Sequence, residues 1–339
     1  MNRLFGFSVE CSNQNFYLGV FTHRGYILFQ RILSILFLCF LALTCQITSH
    51  NVKPFLAEKT LEQIPLSPQP KVWVDFQVVK VADWETTLAG LLDLDDPKAK
   101  AAGLKDRKEP ISIYFYLVKH PKYGSFMIDS GVGESFAKGQ SGELISSLVE
   151  SQMHLSHMKV FETTKAYLTK NKIDLKGVFF THLHLDHTLG AYEIERSVPF
   201  YVGPREVTSK HFINLFVQGS TNRLLGENPN LIQLDFGTNQ SQITALDFFG
   251  DESFYILSVP GHTVGSLAFF IPSKEGAHLI LGDTCHTRWG WNEGVTPGSF
   301  TSDHKLNRKS LDFLKGLEKT HKLKYVYPGH QERISVLGK

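Results

Sequence analysis

His182-Leu183-His184-Leu185-Asp186-His187 sets four metal-capable side chains within a single short stretch. The stretch follows directly on the apolar run Val178-Phe179-Phe180, which reads as a buried strand, so the cluster lies where a strand gives way to a loop. In extended backbone, residues two apart point to the same side, so His182 and His184 can both reach one ion. Asp186 and His187 come after the chain has turned and can face a second ion beside the first. A histidine pair at a strand end can also be a plain hydrogen-bonded surface feature. Four ligand-type side chains packed this closely point instead to a metal.

Further ligand types recur downstream, each at the end of a strand-like run. Pro260-Gly261-His262 follows Phe254–Val259, Gly282-Asp283 follows His278–Leu281, and Pro328-Gly329-His330 follows Tyr325–Tyr327. Glycine ahead of each ligand lets the backbone turn sharply and come close to the site. One Gly-His or Gly-Asp pair is ordinary turn chemistry. Together these segments supply five histidines and two aspartates in a fixed order.

That order resembles the metallo-β-lactamase superfamily, over roughly Val72 to His330. The resemblance implies an α/β (α+β) fold, a four-layer αββα sandwich with two divalent metal ions, zinc by default, at one edge between the sheets. Iron, manganese or cobalt would also accept such ligands. Carried over residue by residue, His182, His184 and His262 would hold one ion, and Asp186, His187 and His330 the other, with Asp283 between them. Asp129, in Ile128-Asp129-Ser130-Gly131, matches an upstream aspartate that supports the metal loop without binding metal, although it also reads as a turn aspartate after a strand. The implied reaction is hydrolysis, with a hydroxide held between the ions attacking a carbonyl and Asp186 relaying the proton.

Departures from each branch of the superfamily narrow the substrate. Class B β-lactamases lack an aspartate at the position of Asp283. Glyoxalase II enzymes carry a helical thioester-binding domain near their last ligand histidine, oxygen-reducing relatives have a glutamate in place of His184, and nucleases add a clamp domain and a basic face. What remains resembles the lactonase and ester-hydrolase branch, acyl-homoserine lactonases included. Those lactonases often place a tyrosine three residues after the shared aspartate, where this chain has His286. His286 is therefore either a catalytic side chain that hydrogen-bonds the substrate carbonyl or a loop histidine. Thioester or phosphotriester hydrolysis, and a metal-binding module without turnover, are the alternatives. The expected partner is a small molecule. An apolar tail would meet Phe212, Leu215, Phe216, Leu224 and Leu225 in segment 209–237, which reads equally as a surface excursion.

Composition is consistent with this. Hydrophobic residues make up 42% of the 339 and charged residues 20%, as in a globular protein. Arg3, Arg24 and Arg31 against Glu10 account for the whole net charge of +2, so the chain beyond residue 45 is neutral. With no basic tract, nucleic-acid binding is excluded. No pattern sets an oligomeric state.

Residues 1–50 read as a signal peptide or a membrane or lipid anchor, and 51–339 as the hydrolase domain. Ile32 to Cys45 is uncharged and mostly apolar, short for a membrane span but suited to a signal-peptide core. Ala42-Leu43-Thr44-Cys45 loosely resembles a lipoprotein cleavage site. Export to the periplasm or anchoring at the membrane is expected, with possible lipidation at Cys45. Cys285 is the only cysteine beyond that segment and has no disulfide partner, so it reads as a small buried residue.

The elements that must position the ligands alternate between strand and helix. Strands are expected at Val72–Val81 and Ile111–Val118, with a charged, flexible insertion from Asp83 to Pro110. Leu144–Lys170 reads mostly as helix, followed by the metal strand and a helix after His187. A strand at Phe200–Val202 and a helix near Arg205–Phe216 come next. Strands at Leu231–Phe236, Phe254–Val259, Ser266–Ile271 and His278–Leu281 precede a last helix over Asn307–Lys319.

Overall fold

A computed structural model describes residues 29–36, 45–55, 60–61, 64–65, 68–237 and 244–336. Residues 29–36 are helical, and most of the expected targeting segment, with Ala42, Leu43 and Thr44, lies outside the described residues. No helix among the described residues is long and apolar enough to cross a membrane.

Two mixed sheets face each other. In the first, the order is β1 (Lys53–Phe55), β9 (Leu231–Leu234), β8 (Phe200–Val202), β7 (Leu175–Phe179), β5 (Gly124–Ile128), β4 (Lys108–His120), β3 (Asp75–Thr87) and β6 (Lys159–Val160). In the second it is β15 (Ile334–Ser335), β14 (Leu323–Tyr327), β13 (Ala277–Ile280), β12 (Leu267–Ile271), β11 (Tyr255–Ser258), β10 (Ala245–Asp247) and β2 (Thr60–Leu61).

Side-chain alternation explains the layering. Phe179 points between the sheets, to Phe254 and Phe269, while Val178 and Phe180 point outward into the cluster beneath the first sheet's helices. In β12, Leu267, Phe269 and Ile271 face inward, and Ala268 and Phe270 face the helical layer beyond the second sheet. Strands apolar on both faces are what a sheet covered on both sides requires. Helix His304–Thr320 completes that outer layer with Leu311, Leu314 and Leu317, spaced to share one face. Asp303 caps it by accepting from Leu306 N. The result is the expected four-layer αββα sandwich.

Several boundaries differ from expectation. β3 and β4 are 13 residues each and pair along almost their whole length, so the segment taken as an insertion from Asp83 is partly hairpin. Its remainder holds two short helices, Leu88–Leu91 and Pro97–Ala101. Leu144–Lys170 is broken: helix Ser147–Met153 ends at His154, whose φ is +51°, and β6 intervenes before helix Thr164–Lys170. The helix expected near Arg205–Phe216 starts later, at Asn214, and runs to Leu225.

The topology gathers the ligands. β5 and β7 are parallel neighbours in one sheet, as are β13 and β14 in the other. Asp129, the 182–187 cluster, Asp283 and His330 all follow the carboxyl ends of these four strands, and His262 follows β11. One edge of the sandwich therefore collects every candidate ligand.

Candidate metal centre

Seven side chains, drawn from four loops, converge there. His182, His184 and His262 form one group, and Asp186, His187, Asp283 and His330 a second. The Nε2 of His262 lies 3.1 Å from His182 Nε2 and 2.9 Å from His184 Nδ1. In the other group, His330 Nε2 is 3.2 Å from both Asp186 Oδ2 and Asp283 Oδ2. His187 Nε2 is 3.3 Å from Asp283 Oδ2. That same oxygen lies 3.8 Å from His182 Nε2 and 3.6 Å from His262 Nε2. Asp283 thus reaches both groups.

Hydrogen bonds outside the cluster decide which ring atoms face inward. His187 gives its Nδ1–H to Asp129 Oδ2 at 2.8 Å, which leaves the lone pair of Nε2 pointing at Asp283. His330 Nδ1 sits 3.4 Å from the Ser112 carbonyl, and His286 Nδ1 is 3.1 Å from that of Leu91. A carbonyl only accepts, so both rings donate Nδ1–H there and leave Nε2 as the ring atom that faces the cluster. Among the buried atoms left without hydrogen-bond partners are His187 Nε2 and His286 Nε2, both turned toward Asp283. Buried polar groups are ordinarily satisfied, and divalent cations in the cluster would satisfy these nitrogens. The inward nitrogens are 2.9–3.1 Å apart, close to the spacing of about 3.3 Å that tetrahedral ligands take at zinc–nitrogen distances. The residues fit a pair of divalent ions.

Electrostatics divide the site in two. Burial, reinforced by neighbouring imidazoles, holds His182 and His262 well below the usual histidine range, and burial takes His184 down to about 4. These three rings are neutral ligands at physiological pH. Burial would also depress His187 and His330, but Asp129 and Asp283 outweigh it at His187, which is raised well above normal. Asp283 and Asp186 raise His330 to about 10. Burial works against the charged form of both Asp186 and Asp283, yet the surrounding histidines hold both carboxyls below their ordinary values. The group rich in carboxylate attracts positive charge, and without metal it would hold protons instead.

Asp129 does what the sequence suggested for it. Its backbone N–H donates to Phe179 O, and its φ of +55° is a left-handed conformation that aspartate tolerates better than most residues. The carboxylate accepts from Thr181 N at 2.8 Å, from Thr181 Oγ1 and from His187 Nδ1. Two glycines are fixed by close approach. A Cβ at Gly329 would lie 2.0 Å from Asp283 Oδ1, and one at Gly261, whose φ is +144°, 2.2 Å from Asn307 N.

His286 is 1% exposed, and its Nε2 is 3.0 Å from Asp283 Oδ2. With Nδ1–H committed to Leu91 O, that nitrogen faces the cluster as an acceptor. It forms a third ligand-type group with His262 and Asp283. The ring is thus held between Leu91 O and Asp283 Oδ2, on the His262 side of the cluster. Cys285 is buried, and burial pushes its thiol up to about 12, so it is no nucleophile.

Two expectations for the substrate wall change. Leu224 and Leu225 are buried in the core, Leu225 beside a cavity it lines with Arg196 and Arg223 away from the ligands, whereas Phe212 and Phe216 are exposed and stack edge-to-face. Beside His286 stands Phe300, 42% exposed, with its ring centroid 6.4 Å from the imidazole. Trp289 packs nearby with Leu88, Leu92 and Val295.

Sequence reasoning missed Glu206. This carboxylate is 3% exposed and accepts from Leu183 N at 2.8 Å, Thr263 Oγ1 at 2.7 Å and Gly265 N at 3.0 Å. It ties the loop of His182 and His184 to the loop of His262, and burial raises its pKa. The one available signal was its place just past β8, at the same strand ends as the ligands.

The family described as the metallo-beta-lactamase superfamily matches residues 109–330. Among curated proteins, gamma-lactamase MBL2 of Gibberella moniliformis is 32% identical over 121 residues, covering 33% of this chain and 51% of that one. N-acyl homoserine lactonase AttM of Azorhizobium caulinodans is 28% identical over 200 residues, covering 57% of this chain and 72% of that one. The chain thus spans about half the length of the first relative. Among solved structures, a quorum-quenching N-acyl homoserine lactone lactonase superposes with a TM-score of 0.55 at 16% identity, over 77% of this chain and 94% of the other.

Proposed function

This chain belongs to the metallo-beta-lactamase superfamily, and on that premise we propose that it is a dinuclear metal-dependent hydrolase opening lactones or related esters. The observation that carries the proposal is Asp283 Oδ2, which stands 3.0–3.8 Å from the Nε2 atoms of five histidines and so joins two ligand groups. A pair of divalent ions, most suitably zinc, supplies there an acidified water and a Lewis acid for the carbonyl oxygen.

The chain's own residues do the rest. Asp129 and the carbonyls of Ser112 and Leu91 fix the ring tautomers, and Glu206 fixes the spacing between the ligand loops. Asp186, with a fifth of its side chain exposed, is the ligand carboxylate that reaches solvent. With Oδ2 turned to the cluster, its other oxygen, Oδ1, would receive a proton and pass it to the leaving oxygen. Apolar Phe300, beside His286, and nearby Trp289 would suit an aliphatic tail better than an anionic thiol carrier. The likeness to AttM supports the lactone reading.

The test is a panel on the purified, metal-replete full chain: aliphatic and acyl-homoserine lactones, glutathione thioesters and phosphotriesters, each with Asp283→Asn as control. Lactone opening with the highest kcat/KM, lost by at least two orders of magnitude in Asp283→Asn, is expected. Efficient thioester cleavage with no lactone opened would overturn the substrate class. Two bound ions without turnover on any substrate would make the protein a metal-binding module.

A further inference from the structure

The chain enters the sandwich at an exposed apolar face. Gln46 makes an antiparallel bridge with Lys210. Asn214 Nδ2 donates to the carbonyl of Cys45 at 3.3 Å, and Gln218 Nε2 to that of Gln46 at 2.8 Å. Thr48 and His50 continue along the same helix to Asn222, and Ile47 and Thr48 are buried, so packing begins before residue 51. Beside this entry point, Phe212, Ile213 and Phe216 are 59%, 58% and 43% exposed. Three large apolar side chains side by side in water are unusual unless something covers them.

Two further features say what the cover is. Ile32 to Cys45 is an uncharged, mostly apolar run that ends at Cys45, held against residues 210–214. Whatever that run dissolves in lies within a few residues of the exposed face. The charge around the face also has one sign. Between Val207 and Gly226 the sequence carries Lys210, His211 and Arg223 and no aspartate or glutamate, and Lys210 and His211 are exposed. An apolar centre with exposed Lys210 at its edge and no acidic residue in its own segment, beside a lipophilic tether, matches the surface of an anionic bilayer.

We propose that Phe212, Ile213 and Phe216, rimmed by Lys210 and His211, dock the catalytic domain on an anionic lipid bilayer, beside the point where the apolar N-terminal run leaves it. The N-terminal run would hold the protein near the membrane, and this face would set the domain's orientation. Membrane attachment thus takes two signals, each weak alone.

The test uses the full chain with phosphatidylethanolamine–phosphatidylglycerol vesicles carrying a phospholipid with a photoreactive diazirine in its acyl tail. After irradiation, lipid adducts are mapped by mass spectrometry of peptides. Adducts on residues 211–217 are expected in addition to those on the run ending at Cys45. In Phe212→Ser/Ile213→Ser/Phe216→Ser they should fall at least fivefold on 211–217, with N-terminal adducts, circular dichroism and metal content unchanged. Adducts confined to the N-terminal run would overturn the proposal. So would a vesicle-free dimer of the parent, seen by sedimentation, that the triple variant loses, which would make the face a contact between copies. Equal labelling on phosphatidylcholine vesicles would remove the role given to Lys210 and His211.

Discussion

At the scale of single residues, the site is governed by groups that touch no ion. Asp129 shows this most clearly, because one carboxylate serves Thr181 N, Thr181 Oγ1 and His187 Nδ1 together. Asp129→Asn would keep the shape but set an amide N–H against the Nδ1–H of His187, or would turn the ring's lone pair away from the cluster. Supporting groups of this kind are typically worth 10- to 100-fold in metal affinity. We expect one ion, that of the Asp186–His187–His330 group, to be lost first to a competing chelator, at a concentration at least tenfold lower than in the parent. Simultaneous loss of both ions, or no change, would show that Asp129 does not support that half. The convergence of the seven candidates was legible because histidines and aspartates recur at strand ends, three of them directly behind glycine. Glu206 was not, since a carboxylate's burial depends on loops that are distant in sequence, here Thr263 and Gly265.

At the scale of elements, buried strands were read well and amphipathic ones poorly. β7, β11 and β12 announce themselves as apolar runs, but Asp83-Trp84-Glu85-Thr86-Thr87 holds a single apolar residue at a sheet's margin and reads as loop. The break at His154 was equally hidden, because only its left-handed backbone ends the helix. β13 carries a titratable side chain that tests the packing between strands. His278 Nδ1 accepts from the Tyr327 hydroxyl at 2.8 Å, and its ring lies against Phe76. Burial, with Lys324 and Arg333 nearby, lowers its pKa to about 4. The folded state therefore binds fewer protons than the unfolded chain between about pH 6.5 and 4, and stability falls as pH drops through that window. Partial exposure reduces the effect to about 2 kcal/mol. Urea unfolding at pH 7 and pH 4.5 should show His278→Gln losing less stability on acidification than the parent by roughly that amount. Equal losses would remove His278 as a source of acid sensitivity.

At the scale of the whole molecule, the two sheets are joined by their apolar interior and by the ligands. One sheet brings His182, His184, Asp186 and His187, and the other brings His262, Asp283 and His330. Ions held between them would act as a clasp across the sandwich. An ion at 100 times its Kd adds about 2.7 kcal/mol to the folded state. Two such ions correspond to roughly 10 °C for a domain of this size. Thermal unfolding in excess chelator should shift down by about that much and recover on adding zinc. A Tm that stays constant while metal analysis shows both ions gone would mean that the site forms without them.

His330 is anchored to Ser112, 218 residues away in sequence. While the chain is being made, the first sheet's ligands are complete long before the residue that closes their cage. Until that last loop arrives, the earlier histidines are an open chelator, able to take whichever cation the surrounding compartment offers. The identity of a metal taken up there would then depend on where the His330 loop meets the first sheet, and a protein that crosses a membrane unfolded would choose its metal on the far side.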